Sequence, residues 1–330
     1  MVRSRITGIG FHVPERVVTN HDLEKIMDTS DAWIVERTGI RERHFVDEGT
    51  GSSDLGIEAA RKALADAARA TADVDFVIFA TSTPDWFIPG NGVIVQDKLG
   101  LGTVGALEVH NACSGFLYAL SVADAFVRAG RYRCVLVIGA EVQSTGLDLS
   151  TRGRDTAVLF GDGAGAAVVE PCEDGRGILS LALHSEGGLA RELWCEAPTS
   201  RVPGRINAEM LAQGRQYLSM NGRQVFKNAT LRFPEVIREV LASAGHTLAD
   251  VALIVPHQAN QRIGDAVAER LGVPAGKVFQ NIERYGNTTA ASIPIALTEA
   301  RAAGLVKPGD LIVLAAFGAG FSWAGCALRW

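Results

Sequence analysis

The stretch ADVDFVIF at residues 72–79 decides the fold, because its pattern returns as ADVALIVP at residues 249–256. Each copy is followed by a segment of helical spacing that ends in Leu-Gly, at 99–100 in the first copy and at 271–272 in the second. A strand, a turn, an Ala-rich helix and another strand are predicted in the same order after both copies. The offset is 177 residues at the first landmark (72 to 249) and 172 at the Leu-Gly pair (99 to 271), which predicts an internal duplication.

Short apolar runs rich in β-branched residues alternate with Ala-rich segments along the chain. The runs, which are typical of buried central strands, are 76–79, 135–138, 253–255 and 311–314. The segments of helical spacing are 53–70, 114–129, 230–244, 261–270 and 288–303. This alternation predicts an α/β fold, with a mostly parallel sheet and helices on its faces. We divide the chain into one half at 1–172 and a second half at 173–330.

Composition and charge exclude several classes of protein. The chain has 330 residues, 47% of them hydrophobic and 21% charged, which excludes disordered and fibrous proteins. A net charge of −5 argues against a nucleic-acid-binding protein. No apolar run reaches the roughly 18 residues of a membrane span, and the N-terminus lacks the apolar core of a secretion signal. Five cysteines without a CxxC pair, and seven histidines without close ligand spacing, indicate reduced thiols, a soluble cytoplasmic protein and no structural metal.

The duplication predicts where chemically useful side chains meet. Aligning the halves back from Gly130 and Gly304 puts Cys113 opposite Asn287. Aligning them from the two Ala-Asp-Val triplets puts Ala80, at the end of its strand, opposite His257. Ligands of α/β sheets bind beyond the carboxyl ends of strands, so we expect a site that contains Cys113, His257 and Asn287.

Cys113 is the candidate nucleophile. It lies between a predicted strand and the helix at 114–129, where the helix dipole and unpaired N–H groups would lower its pKa and favour the thiolate. The alternative is a buried structural cysteine, the commoner fate of a single cysteine. That alternative is our interpretation of the four other cysteines, at positions 134, 172, 195 and 326.

His257 and Asn287 each have a structural alternative as well. A histidine at the end of a strand can exchange a proton in a cleft, or it can be a hydrogen-bonded core residue. Asn287 precedes an Ala-rich helix, so it can be a helix N-cap, a role compatible with catalysis because a cap uses only part of the amide. His110 lies three residues before Cys113 in the same predicted strand, and this odd offset puts it on the opposite face, so we assign it a supporting role.

Two glycine-rich stretches interrupt apolar runs, FGDGAG at 160–165 and FGAG at 317–320. Neither matches a phosphate-binding motif, so tight turns in hairpins are our interpretation of both. The second stretch can also supply a backbone N–H group to an oxyanion.

Six separated motifs follow one another in the order of a known family. They are DTSDAWIVERTGI at 28–40, ACSG at 112–115, FGDGAG at 160–165, PHQAN at 256–260, YGNT at 285–288 and FGAGFSW at 317–323. Together they resemble β-ketoacyl-acyl carrier protein synthase III, the initiating condensing enzyme of type II fatty acid synthesis. The resemblance implies a thiolase-type fold, in which two duplicated βαβ-rich halves form a layered α-β-α-β-α sandwich.

The resemblance also implies a reaction. Acyl-CoA acylates Cys113, and malonyl-acyl carrier protein then loses carbon dioxide and attacks the acyl group, with His257 and Asn287 on its thioester carbonyl. Backbone N–H groups of Cys113 and Ala319 would hold the oxyanion. Both thioesters are substrates, so no cofactor is implied, and the family likeness implies a homodimer without nucleic-acid or membrane partners.

The remaining family positions concern substrate binding. Those implied for coenzyme A are Trp33, Arg37, Arg152, Arg223 and Asn260; those for the acyl pocket are Ile88, Gln143 and Phe226; and Arg262 is implied for the carrier protein. Four positions depart from the family pattern: Ala319 replaces a glycine, Ile88 a phenylalanine, Gln143 an apolar residue and Arg223 an asparagine. The loop-like segment 186–217 is expected to cover the entrance. These departures affect the choice of acyl primer rather than the chemistry.

Three alternative functions remain open. The acylated Cys113 can pass its acyl group to a different acceptor in secondary metabolism. A Cys-His-Asn set can also hydrolyse a substrate, although Trp33 and Arg37 have no role in that reading. The third alternative is a non-catalytic protein that binds acyl thioesters.

Overall fold

The fold is described from a computed structural model, which covers residues 2–330. The helices are α1 (Asn20–Glu24), α2 (Asp31–Thr38), α3 (Ser52–Asp66), α4 (Asn91–Lys98), α5 (Gly115–Arg128), α6 (Arg154–Ala157), α7 (Ala208–Ala212), α8 (Gly222–Ser243), α9 (Gln261–Leu271), α10 (Ile282–Tyr285) and α11 (Ser292–Ala302). The strands are β1 (Arg3–His12), β2 (Val17–Thr19), β3 (Glu42–His44), β4 (Phe76–Ala80), β5 (Gly105–Val109), β6 (Val135–Glu141), β7 (Gly163–Cys172), β8 (Gly177–Ser185), β9 (Leu193–Trp194), β10 (Ser219–Met220), β11 (Val251–Pro256), β12 (Leu311–Gly318) and β13 (Ser322–Arg329).

Two large sheets have the same strand order. The first sheet has the order β1-β7-β6-β4-β5, and the second has β8-β13-β12-β11. Val278 pairs with Ile254 as an isolated parallel bridge and takes the place of β5 in the second sheet. The chain passes from the first sheet to the second between Cys172 and Gly177. The predicted duplication is therefore present in the strand order.

The prediction of a mostly parallel sheet is wrong. Parallel pairing joins β4 to β5, β4 to β6 and β11 to β12, whereas the pairs β1–β7, β6–β7, β12–β13 and β8–β13 are antiparallel. Residues 160–165 also do not form a tight hairpin. They follow α6 and lead into β7, and a β-carbon added at Gly165 would lie 2.6 Å from Pro294 Cβ, so glycine permits close packing there.

Five layers follow from the packing of apolar faces. One apolar cluster lies between the outer helix α3 and the first sheet, and it contains Leu64 and Phe79. A second lies between the two sheets around α5 and α11, and a third covers the other face of the second sheet under α8 and α9. This is the expected α-β-α-β-α sandwich. Between residues 2 and 330, no helix combines the length and apolar character that crossing a bilayer requires.

The residues that correspond between the two halves differ from those that the sequence alignment paired. A 3₁₀ turn precedes each central helix, at Ala112–Ser114 and at Thr289–Ala291, and each turn begins with a positive φ of 43° or 50°. Cys113 is therefore equivalent to Ala290, and Asn287 to His110. The alignment from Gly130 and Gly304 failed because α5 has 14 residues and α11 has 11.

Candidate active site

Cys113 lies in the 3₁₀ turn between β5 and α5 and is 7% exposed. The turn is held to the second sheet, because Ser114 Oγ donates to the carbonyl oxygen of Ser322 over 3.0 Å. A β-carbon added at Gly318 would lie 2.4 Å from Cys113 Cβ and 2.7 Å from its sulfur. Glycine is therefore required where the end of β12 passes the thiol.

Two backbone N–H groups converge on the Cys113 sulfur. Those of Ala319 and of Cys113 itself lie close enough to the sulfur to lower the pKa of the thiol. A carbonyl oxygen of a group bound to this sulfur would lie within their reach, which is the arrangement that an oxyanion hole requires. The alanine at 319 keeps the donor, because the N–H group belongs to the backbone.

The pKa of Cys113 moves in the opposite direction from our expectation. Burial raises the pKa of Cys113 to about 12, and the negative charge of Glu141 adds to the increase. The two backbone N–H groups lower it by less. The helix-dipole argument was wrong here because the thiol is removed from water, which disfavours the thiolate more than the turn favours it.

This pKa predicts the pH dependence of alkylation at Cys113. Because the thiol is protonated far above neutral pH, the thiolate fraction and the rate with iodoacetamide should rise about tenfold per pH unit from pH 7 to 9 without levelling off. In the urea-unfolded chain, the alkylation rate of the same cysteine should level off once the pH passes the ordinary cysteine pKa of about 8.5. Peptide mass spectrometry measures both rates. A plateau below pH 8 in the folded protein would show instead that the pKa of Cys113 is lowered, as the sequence had led us to expect.

His257 follows β11 and is 3% exposed. Burial lowers the pKa of His257 to about 3, so the imidazole is neutral at physiological pH. Its Nδ1 lies 2.6 Å from Ser292 Oγ, which in turn accepts from the Gln258 N–H over 3.4 Å. Ser292 Oγ therefore holds the Nδ1 side of the ring and leaves Nε2 to face a ligand. Nε2 is buried with no hydrogen-bond partner among residues 2–330.

Asn287 precedes the second 3₁₀ turn and is 6% exposed. It is not the N-cap of α11, because that position is Ala291. Its side-chain Oδ1 accepts from the Thr289 N–H over 2.9 Å, and its backbone N–H donates to the Leu159 carbonyl over 2.7 Å. With Oδ1 engaged, the Nδ2 end of the amide is available as a donor.

Two cavities meet at Cys113, and both are also bordered by Phe160 and Leu193. The first, which we call the apolar cavity, has a volume of about 120 Å³. Its lining residues include His257, Asn287, Met220, Val225, Phe226, Asn260, Ile263 and Phe317. The second, the polar cavity, has a volume of about 500 Å³. Its lining residues include Ser82, Thr83, His110, Gln143, Trp194, Gln216, Thr289 and Ala319.

The structure brings the predicted acyl-pocket residues to different places. Phe226 lines the apolar cavity and Gln143 the polar cavity, whereas Ile88 is 77% exposed and lines neither. His110 lies beyond the end of β5 and lines the polar cavity with Cys113. The expectation that it faces away from Cys113 was therefore wrong, since the strand ends at Val109.

A stacked group lies at the outer end of α2. The Trp33 ring has the Arg37 guanidinium 4.5 Å from its centroid and that of Arg154 at 4.9 Å. Asn260 caps α9 through the Arg262 N–H and donates from Nδ2 to the Arg37 carbonyl over 3.0 Å. The sequence analysis missed Arg154, for which no motif gave a signal.

The other predicted positively charged residues, Arg152, Arg223 and Arg262, are exposed. Arg152 pairs with Asp148 at 2.5 Å and lies 5.7 Å from the Tyr217 ring. Arg223 is exposed in the first turn of α8, and Arg262 lies 5.8 Å from the Phe226 ring. The segment 186–217 contains the short elements β9 and α7, and its Trp194 borders the polar cavity.

Glu141 is a buried carboxylate that the sequence analysis missed. It ends β6 and accepts from Thr83 Oγ1 over 2.7 Å and from the Ser82 N–H over 3.1 Å. Burial raises the pKa of Glu141 to about 7, against these hydrogen bonds and one from the Ala290 N–H, which lower it. Glu141 thus joins a wall of the polar cavity to the turn that follows Asn287. An acidic residue at the end of an apolar strand was the available signal.

Comparison with known proteins places this geometry in a family. The models for 3-oxoacyl-[acyl-carrier-protein] synthase III and its C-terminal region match residues 107–187 and 241–330. A β-ketoacyl-[acyl-carrier-protein] synthase III of Symbiobacterium thermophilum is 47% identical over 98% of this chain and 97% of its own. The chain belongs to the β-ketoacyl-[acyl-carrier-protein] synthase III family.

Solved structures of this family have the same fold. The synthase III of Aquifex aeolicus superposes with a TM-score of 0.91 at 45% identity, covering 99% of this chain and 100% of its own. That of Thermus thermophilus gives 0.91 at 44% identity and covers 99% of both chains. The thiolase-type fold expected from the motifs is therefore confirmed.

Proposed function

We propose that this protein is an acyltransferase that condenses an acyl group from acyl-CoA with malonyl-acyl carrier protein and so initiates fatty acid synthesis. One observation carries the proposal: Cys113, His257 and Asn287 line a single cavity, with two backbone N–H groups on the sulfur. This set supplies a nucleophile, one pair of donors for the acyl oxygen and a second pair for another carbonyl.

The first half-reaction acylates Cys113. The sulfur attacks the thioester carbonyl, the N–H groups of Cys113 and Ala319 stabilise the oxyanion, and coenzyme A leaves. The thiol proton ends on the departing sulfur. Because the resting thiol is protonated, attack and proton loss are expected to be coupled.

The second half-reaction breaks the bond between the malonyl methylene and its carboxylate. Carbon dioxide leaves, and the electron pair forms an enolate on the thioester. Neutral His257 donates from Nε2, and Asn287 from Nδ2, to the enolate oxygen. The methylene carbon then attacks the acyl carbonyl, and Cys113 leaves as a thiolate that takes up a proton. The product is a β-ketoacyl thioester.

Substrate binding uses residues outside this centre. We propose that Trp33, Arg37 and Arg152 contact the nucleotide of coenzyme A, with Arg223 and Asn260 along its arm and Arg262 on the carrier-protein side. The stacked Trp33 offers an aromatic face beside positive charges, which suits an adenine with phosphates. The chemistry uses a thiol and hydrogen-bond donors, so we propose that no resident cofactor or metal is needed.

A homodimer in the cytoplasm is the assembly that we propose. Strand β5 lies at the edge of the first sheet, and exposed apolar side chains stand nearby at Trp86, Phe87 and Ile88. A second copy would cover them, and Ile88 would then face the other copy's cavity. Free thiols at all five cysteines fit a reducing compartment.

Intact-protein mass spectrometry with a panel of acyl-CoA thioesters tests the function. We expect a single acyl adduct, which malonyl-acyl carrier protein discharges with release of carbon dioxide and formation of a β-ketoacyl product. An adduct that resists malonyl-acyl carrier protein would favour transfer to a different acceptor. Rapid release of free acid would favour hydrolysis. Absence of an adduct with every thioester would contradict the proposed function.

A further inference from the structure

The polar cavity offers both apolar and hydrogen-bonding surface to a ligand. Its volume of about 500 Å³ exceeds the needs of an acetyl group and lies in the range of pockets for larger ligands. Apolar side chains form most of its wall, among them Phe160, Leu193 and Leu218, and Gln143 adds a primary amide. The cavity on the other side of Cys113 is mostly aromatic and aliphatic.

Gln143 presents a primary amide to this cavity. Its Nε2 donates to Thr289 Oγ1 over 2.9 Å and to Ser82 Oγ over 3.4 Å. These bonds hold the amide against the turn that follows Asn287. Its Oε1 accepts from no donor among residues 2–330, and a methylene chain packed on it would desolvate it without a replacement bond.

Hydroxyl side chains lie beside this amide in the wall of the cavity, namely those of Ser82, Thr83 and Thr289. A ligand hydroxyl both donates and accepts, and it therefore suits the free Oε1 of Gln143 as well as these neighbouring hydroxyls.

We propose that the polar cavity receives an acyl group that carries a hydroxyl, and that Gln143 is a specificity-determining residue for it. The inference rests on the proposed function, since the cavity receives an acyl group only if Cys113 is acylated. The proposed primers are short hydroxyacyl thioesters, which the protein would use in preference to alkyl thioesters of equal length.

A matched pair of primers tests the inference. Butyryl-CoA and each enantiomer of 3-hydroxybutyryl-CoA differ by one hydroxyl, and kcat/KM for condensation with malonyl-acyl carrier protein is measured for each. In the unmodified protein, one hydroxylated primer should be preferred by about tenfold, the effect of one hydrogen bond. In Gln143→Leu the preference should disappear or invert, with butyryl-CoA used at least as well as before. Gln213→Leu, on the exposed end of α7, should leave the ratio unchanged.

The outcomes separate this inference from the function. Condensation that favours butyryl-CoA, with a ratio that Gln143→Leu does not change, overturns the hydroxyacyl preference and leaves the synthase function intact. A lost preference in Gln143→Leu, with the butyryl rate retained, supports the inference, since a misfolded variant would lose both rates. Failure of every primer to acylate Cys113 overturns the function and the inference together.

Discussion

Cys113→Ser is expected to abolish the acyl adduct and to lower condensation by on the order of 10³-fold or more. A serine hydroxyl is far less acidic than a thiol. Ionisation of a side chain at position 113 is disfavoured further, because the site is buried and lies near the negative charge of Glu141. The N–H groups at the sulfur offset only part of that cost.

The fold should survive this substitution, because one oxygen replaces one sulfur beside Gly318. Intact mass after incubation with acyl-CoA measures the adduct, and circular dichroism with thermal unfolding checks the fold. Cys172→Ser is the matched control, since Cys172 is a free thiol that lines neither cavity at Cys113, and a serine hydroxyl can keep its bond to Asp174. It should keep its adduct and its turnover. An adduct of normal stoichiometry on Cys113→Ser would show that another residue is the nucleophile.

The duplicated pattern predicted the alternation of strands and helices, whereas the five layers were expected from the family resemblance. Both copies of the Ala-Asp-Val stretch precede central strands, β4 and β11, and the segments after them are helices. The hairpin predicted at 317–320 is confirmed, because the chain turns there and β12 and β13 pair antiparallel. The antiparallel pairing of β6 with β7 was not predictable in the same way, because about 20 residues connect these strands and the glycines at 160–165 pack closely rather than form a hairpin.

The residues of the candidate site were found because they occupy the ends of strands, but their exact correspondence was not. A helix of 14 residues in one half and 11 in the other displaced the alignment, so Cys113 corresponds to Ala290. The direction of the Cys113 pKa depends on burial and on Glu141, which only the folded packing brings near it. Ser292, which hydrogen-bonds to Nδ1 of His257, gave no sequence signal for the same reason.

His257→Ala and Asn287→Ala should separate the two half-reactions. Each removes one donor to the enolate oxygen, and loss of one such donor costs on the order of 10²–10³-fold in kcat. Acylation should remain within about tenfold of the unmodified protein, because the N–H groups of Cys113 and Ala319 serve that step. The expected result is an acyl-enzyme that forms and persists after malonyl-acyl carrier protein is added.

Rapid-mixing experiments with intact-mass detection measure acylation and discharge separately, and trapped carbon dioxide reports decarboxylation. His21→Ala, an exposed histidine on α1, is the control and should discharge normally. If His257→Ala lost acylation as strongly as discharge, His257 would act on the Cys113 thiol itself, as a general base; the same loss in Asn287→Ala would mean that its amide serves the acylation step. Burial keeps His257 neutral, and we expect it to act as a donor from Nε2; the two rates distinguish a donor from a base.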